Sequence, residues 1–292
     1  MKVLLIGDIV GQPGRTAIKE LVPLLIQEEG LGFVIANAEN AAGGSGVTPP
    51  IADELFKCGV DVMTTGDHIW NKREIYEYLD KNNRLLRPAN YPKGAPGSGS
   101  CVVEKGPVAI GVINLAGRVF MDPIECPFRV VREEIEKMKN KTKIIFVDIH
   151  AEATSEKVAM GWYLDGIVSG VVGTHTHIQT ADEGILPKGT AYITDLGMAG
   201  PYDSVIGRKA EQIIARFITQ LPMRFEMAEG DIMLAGAIID VDEKTGRAVS
   251  IKRVQRITGR GESAVPRKNE QQICHEPLIL CHVLFCPCSF AG

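Results

Sequence analysis

The segment "GVVGTHTHIQTAD", residues 170–182, sets His175 and His177 two positions apart at the end of an apolar run. In an extended chain, side chains at i and i+2 point to the same side. Two imidazoles so spaced present a pair of nitrogen donors in one direction, and the chemistry such a pair suits is metal ligation. Four further clusters follow apolar runs. Asp8 ends "KVLLIGD", Glu39 and Asn40 stand in "NAENAAGGSG", Asp67 and His68 in "TTGDHIWN", and Asp148 and His150 in "VDIHAEAT". Each alone has a structural reading. An Asp after a strand caps a turn or helix, an Asn beside glycines occupies a turn, and a single His hydrogen-bonds within a core. Five clusters, which together hold every histidine before residue 258, favour one shared site. Carboxylate, amide and imidazole donors without thiolate suit Mn²⁺, Fe or Zn²⁺. They are too many for one four-coordinate ion. A carboxylate bridging two cations about 3.5–4 Å apart is the common solution, and it serves phosphate-ester hydrolysis. Glu39, in the most glycine-rich loop, is the natural bridge, because backbone can approach a centre closely there.

The elements that must carry these residues are β-branched apolar runs alternating with helical patterns. Residues 2–7, 32–37, 60–65, 108–115, 143–149 and 166–173 are expected as strands. Their near-continuous apolar character suggests cover on both faces. Helices are expected over 13–29, 49–58, 73–81, 127–139 and 155–164, with Pro13 and Pro49 in first turns. This alternation is the βαβ signature of an α/β fold. Ligands in such sheets bind beyond the carboxyl ends of strands, so all five clusters are expected along one edge. Later strands at 189–197, 230–242 and 248–257, with "DEKTGR" (242–247) as a hairpin connection and one helix near 208–221, predict a partly antiparallel second sheet packed on the first.

Composition sets the remaining bounds. The chain has 292 residues, 45% of them hydrophobic and 23% charged, with net charge −4. That is a globular composition without the basic footprint of a duplex nucleic-acid binder. The N-terminal apolar run stops at Asp8, too short for a signal peptide, and no run approaches membrane-spanning length. A cytoplasmic location is the default expectation, and a homo-oligomer stays open. Residues 1–257 read as one domain. Residues 258–292 crowd Cys274, Cys281, Cys286 and Cys288 beside His275 and His282 at spacings that match no zinc motif. This tail is expected to stand outside the core.

Taken together, "GDIVGQPGR", "NAENAAGGSGVT", "GDHIWN", "DIHAEATSEK" and "GTHTHIQTADEGILPKGTAYITDLGM" resemble the YmdB-type branch of the calcineurin-like metallophosphoesterases, from Met1 to about Arg256. The resemblance implies a four-layer α/β sandwich, two mixed β-sheets flanked by helices. It also implies a dinuclear iron or manganese centre and phosphodiesterase activity on 2′,3′-cyclic nucleotides. One metal would be held by Asp8, Glu39, Asn40 and His177, and the other by Glu39, Asp67, His150 and His175. His68 would protonate the leaving group as a metal-bound hydroxide attacks phosphorus in line. The branch commonly has Asn where Asp67 stands here, and the added anion would raise the pKa of His68. The wider superfamily often has a histidine at the position of Val10, and the use of Asn40 fits that missing ligand. Two other readings accompany this one: a phosphomonoesterase or nucleotidase using the same centre, and a weakly active protein that binds a nucleotide or RNA end in regulation.

Overall fold

A computed structural model describes residues 1–259. In chain order the elements are β1 (Lys2–Ile9), α1 (Gly11–Glu29), β2 (Leu31–Asn37), α2 (Pro49–Lys57), β3 (Val62–Thr64), a 3₁₀ turn (Asp67–Asn71), α3 (Ile75–Lys81), β4 (Ser100–Lys105), β5 (Val108–Ala116), α4 (Pro127–Met138), β6 (Ile144–His150), α5 (Thr154–Leu164), β7 (Gly170–Thr174), β8 (Gly184–Ile185), β9 (Ala191–Ile193), β10 (Met198–Pro201), α6 (Ala210–Thr219), β11 (Ile232–Val241) and β12 (Ala248–Ile257).

They form two six-stranded mixed sheets, ordered β12-β11-β10-β1-β2-β3 and β4-β5-β6-β7-β9-β8. The parallel strands of the first sheet are β10, β1, β2 and β3. Those of the second are β5, β6, β7 and β9. Antiparallel strands close one edge of the first sheet and both edges of the second, with β11 and β12 joined through a turn in which Gly246 N–H donates to Asp242 O.

Alternation along β1 explains why it is apolar without a break. Leu4 and Ile6 pack with Ile18, Leu21 and Leu25 of α1, while Val3 and Leu5 face Phe146, Val172 and Ile239 between the sheets. The second sheet repeats this. Phe146 enters the inter-sheet core, and Ile145, Val147 and Ile149 meet Val131 and Ile135 of α4 and Met160 of α5. The order of layers is therefore helix, sheet, sheet, helix, the four-layer α/β sandwich that the resemblance implies. Truncating Phe146, 1% exposed in the shared layer, would cost about 3–5 kcal/mol.

Two expectations need correction. The strand-end clusters share one rim of the fold, but the sheets are divided otherwise than expected: β5, β6 and β7 leave β1, β2 and β3 to form the second sheet, β11 and β12 join the first, and the clusters meet across the seam. A periodic apolar run reports cover on both faces but not which sheet supplies it. Strands β4, β8 and β10 lie outside the runs read as strands: β4 reads "SCVVEK", half polar as an edge strand, and β8 and β10 are two and four residues long. α1 also starts at Gly11, two residues before Pro13, and accommodates Pro23 within it. Of the Cys-rich tail, residues 260–292 lie outside the described residues, including its four cysteines and two histidines.

Candidate metal centre

Five chain segments deliver polar groups to the seam. Asp8, fully buried, is the penultimate residue of β1. Glu39 and Asn40, 1% and 2% exposed, follow β2 in a loop whose residue Ala41 is held by the Arg15 guanidinium. Asp67 and His68 open the 3₁₀ turn after β3. His150 ends β6, and His175 and His177 follow β7. Gly66 permits the approach, since a Cβ there would lie 2.1 Å from Glu39 Oε2 and 2.2 Å from His150 Cδ2.

The hydrogen bonds of three imidazoles fix where their protons sit. His177 Nδ1 lies 3.1 Å from the Ile206 carbonyl, which can only accept, so that nitrogen carries the proton and Nε2 is bare. Nε2 lies 3.7 Å from Asp8 Oδ1. His175 Nε2 meets the Glu152 carboxylate at 3.0 Å, leaving Nδ1 bare. His150 Nδ1 lies 3.0 Å from Thr174 Oγ1, whose hydroxyl proton goes to Asp148 Oδ1 at 2.8 Å. Burial pushes Asp148 up to about 6, against hydroxyl donation from Thr64 and Thr174. At neutral pH it therefore stays an acceptor, the Thr174 oxygen accepts from His150 Nδ1, and His150 Nε2 is the nitrogen turned inward, where a proton or a cation can sit. Each ring donates outward and turns a lone pair inward, the arrangement that metal-ligating histidines adopt.

Those lone pairs collide unless something positive lies among them. His150 Nε2 and His175 Nδ1 are 2.9 Å apart. Asp67 Oδ1, buried and without a hydrogen-bond partner, stands 3.3 Å from the former and 3.9 Å from the latter. Glu39 Oε1 lies 3.2 Å from His150 Nε2. Glu39, Asp67, His150 and His175 together offer four ligand atoms within 4.8 Å of one another. Beside them is a second set around the Asn40 amide: Nδ2 lies 3.4 Å from Asp8 Oδ1, 3.0 Å from Glu39 Oε1 and 3.2 Å from His177 Nε2. Amide nitrogen and oxygen are near in shape; a half-turn would bring Oδ1 to that position and place Nδ2 beside His68 Nδ1, where Oδ1 now stands. Glu39 belongs to both sets. The residues fit a pair of oxygen- and nitrogen-loving cations.

The local electrostatics point the same way. Burial opposes charge on Glu39, yet His150 and His68 outweigh it and hold its carboxyl well below the usual range. Burial likewise opposes a charged His150, but Glu39 and Asp67 hold its pKa well above that of free imidazole. A buried cluster of this kind calls for positive charge at its centre, which protons or cations can supply. His68 differs in being partly open to the cavity. Its Nδ1 lies 2.9 Å from Asn40 Oδ1 and 3.2 Å from Glu39 Oε1, and the Glu39 hydrogen bond raises its pKa, with Asp67 contributing less.

All eight residues marked from sequence thus come to the seam: Asp8, Glu39, Asn40, Asp67, His68, His150, His175 and His177. The reason given for the last two is wrong. β7 ends at Thr174, and His175 and His177 have φ of 103° and 65°, so they do not alternate on an extended strand. The left-handed turns send them to different donor sets. The supporting groups were largely missed. Asn37, Thr64 and Thr174 ring Asp148, and only Asp148, two before His150 on one strand, left a trace in the spacing. Glu152 and the Ile206 carbonyl come from loops without periodic signal.

The comparisons with known proteins bear on the family and the fold. The family model described as "YmdB-like protein" matches residues 4–254. A Bacillus subtilis (strain 168) relative named 2′,3′-cyclic-nucleotide 2′-phosphodiesterase is 52% identical over 254 residues, 87% of this chain and 96% of that one. A solved structure of a hypothetical protein from Thermus thermophilus superposes with a TM-score of 0.82 at 40% identity, covering 88% of this chain and 99% of its own. The structure of a novel phosphatase from Mycoplasma pneumoniae gives 0.83 at 35%, covering 88% and 93%. With its four-layer fold, its seam of inward-facing donors and a family match over most of its length, the chain belongs to the YmdB-like family.

Proposed function

We propose that this protein is a metal-dependent phosphoric ester hydrolase that opens 2′,3′-cyclic nucleotides. The observation that carries the reading is the set of three inward-facing imidazole nitrogens, with the buried Asp67 Oδ1, gathered beside Glu39. The name of the Bacillus subtilis relative supports the substrate class. Asp8, Glu39, Asn40 and His177 would hold one cation and Glu39, Asp67, His150 and His175 the other. Iron and manganese are the ions the family resemblance implies, and zinc is accepted by the same ligand types. When bound, two cations supply Lewis acidity to the phosphoryl oxygens and an activated water for attack on phosphorus.

The chain's own residues do the rest. Thr174, Glu152 and the Ile206 carbonyl orient the rings. His68, beside the charged groups and facing the cavity, gives its proton to the ribose oxygen as the phosphorus–oxygen bond breaks. The Glu39 hydrogen bond and the nearby Asp67 favour its protonated form, the one a general acid needs. No helix among the described residues is long and apolar enough to cross a membrane, in keeping with a small diffusible substrate and a cytoplasmic setting.

The test is a substrate panel with Mn²⁺ or Fe²⁺ supplied. Adenosine 2′,3′-cyclic monophosphate should be hydrolysed, and His68→Ala should slow it by about 10²–10⁴-fold at unchanged metal content. Wild-type turnover in the His68→Ala protein would remove the acid role. A monoesterase reading has one observation in its favour, the structural relative described as a phosphatase. Faster release of phosphate from adenosine monophosphate than ring opening of the cyclic ester would favour it.

A further inference from the structure

The donor cluster supplies only part of the lining of its cavity. The space, ≈ 490 Å³, is bounded by Glu39, Asn40, His68, His175 and His177 and also by the apolar Ile206, Phe217 and Phe225. That volume is in the range of small-ligand sites and well beyond what a cyclic phosphate alone would fill. Phe217 is 71% exposed and Ile206 46%, large apolar groups left open beside a strongly polar floor.

Ile206 holds its place against its own backbone preference. Val205 and Arg208 exchange both backbone hydrogen bonds, so Ile206 and Gly207 form the two-residue corner of a hairpin. Their φ values are 46° and 95°. Such corners suit Asn and Gly, and a β-branched residue there is strained. Its carbonyl holds His177, which any residue could do; the isoleucine side chain is left over from that task and faces the cavity. Arg208 then donates to the carbonyls of Gly43 and Gly44, just beyond Glu39 and Asn40. The corner that carries Ile206 is thereby fixed relative to the donor cluster at two points.

α6 separates this wall from a second apolar face. Ile213 and Phe217, four apart, both line the cavity. Ile214 and Ile218, exposed at 52% and 77%, form another i, i+4 pair one residue on, and neither lines it. Contact with another copy of the chain has that outer pair available without the inner one.

We infer that the wall of Ile206, Phe217 and Phe225 seats the base of the nucleotide, holding it while the cyclic phosphate lies at the donor cluster. The inference rests on the phosphodiesterase reading and adds the residues that select nucleosides over other ribose phosphates. An aromatic face is sequence-tolerant toward bases, because every base has a π-face, so purine and pyrimidine esters should both be taken.

The test compares adenosine 2′,3′-cyclic monophosphate with ribose 2′,3′-cyclic phosphate, which lacks the base, in the metal-loaded full-length protein. The wild type should favour the nucleotide in kcat/KM, and Phe217→Ala with Phe225→Ala should cut that ratio roughly tenfold. Calorimetry with adenosine 3′-monophosphate, the product of opening at the 2′ side, should show affinity falling by the same factor at equal metal content. Ile206→Asn, which keeps the carbonyl and relieves the corner, should raise KM for the nucleotide without lowering the melting temperature. A ratio unchanged in the double variant, or a variant altered only in its association state, overturns the base seat and leaves the phosphodiesterase reading standing. Failure of the wild type to open either ester, with nucleotide affinity still lost on truncating the wall, instead overturns the reaction and keeps the seat.

Discussion

The two sheets contribute unlike chemistry to the seam. Strand β1 and the segments after β2 and β3 bring every candidate carboxylate and amide ligand: Asp8, Glu39, Asn40 and Asp67. The ends of β6 and β7 bring only imidazoles: His150, His175 and His177. One side therefore carries the carboxylates and the other carries nitrogen donors turned inward. Neither side makes a centre alone. A cation held between them is shared by the two halves of the sandwich, so its binding should stabilise their packing as well as serve chemistry.

That division gives predictions of unequal size. The largest effect is expected at Glu39, the one residue common to both donor sets. Glu39→Gln keeps the shape but removes a bridging charge, and activity should fall by at least on the order of 10³-fold. Metal content should drop in parallel by elemental analysis. Retention of both metals with near-normal turnover would mean the two sets are not joined through this residue.

A smaller loss is expected one bond behind the imidazoles. Thr174→Val removes the oxygen that holds His150 Nδ1–H and links it to Asp148. Metal affinity should weaken about 10–100-fold, and Thr174→Ser should restore it. Equal damage from both substitutions would point to packing instead of orientation.

Chelation of the whole centre should lower the melting temperature by about 5–10 °C for a site held near a hundredfold above its Kd. Differential scanning calorimetry with and without chelator reads this directly. An unchanged transition would contradict the idea that cations join the sheets.

The smallest expected effect sharpens the contribution of the acidic side to His68. Asp67 favours the protonated ring, though less than Glu39 does. A general acid is active while protonated, so turnover falls as pH rises through its pKa. Asp67→Asn removes a negative neighbour, lowers that pKa and should move the alkaline limb of the pH–rate profile to lower pH. A limb moving upward would show that His68 is not the titrating acid.

The same comparison explains what could be read from the chain before its fold was known. Residues at the ends of apolar runs stood out, because buried parallel strands leave polar side chains only where they emerge. Hence Asp8, Glu39, Asp67 and His150 were visible by position. The division into two sheets was not, since Val3 and Leu4 are equally apolar while facing different layers. The local geometry of His175 and His177 was also out of reach, because left-handed φ at a non-glycine residue is imposed by surrounding contacts and has no periodic signature. The Val205–Arg208 corner hid for the same reason. Its isoleucine argues against the turn that the backbone makes.

The account stands or falls on whether the inward lone pairs share cations. Crystals of the protein grown with Mn²⁺ and measured for anomalous scattering at the manganese edge test it most directly. Two peaks are expected, one touching His150 Nε2, His175 Nδ1 and Asp67 Oδ1, the other touching His177 Nε2 and Asp8, with Glu39 between them. A folded protein showing no peak beside His150 and His175 would contradict it.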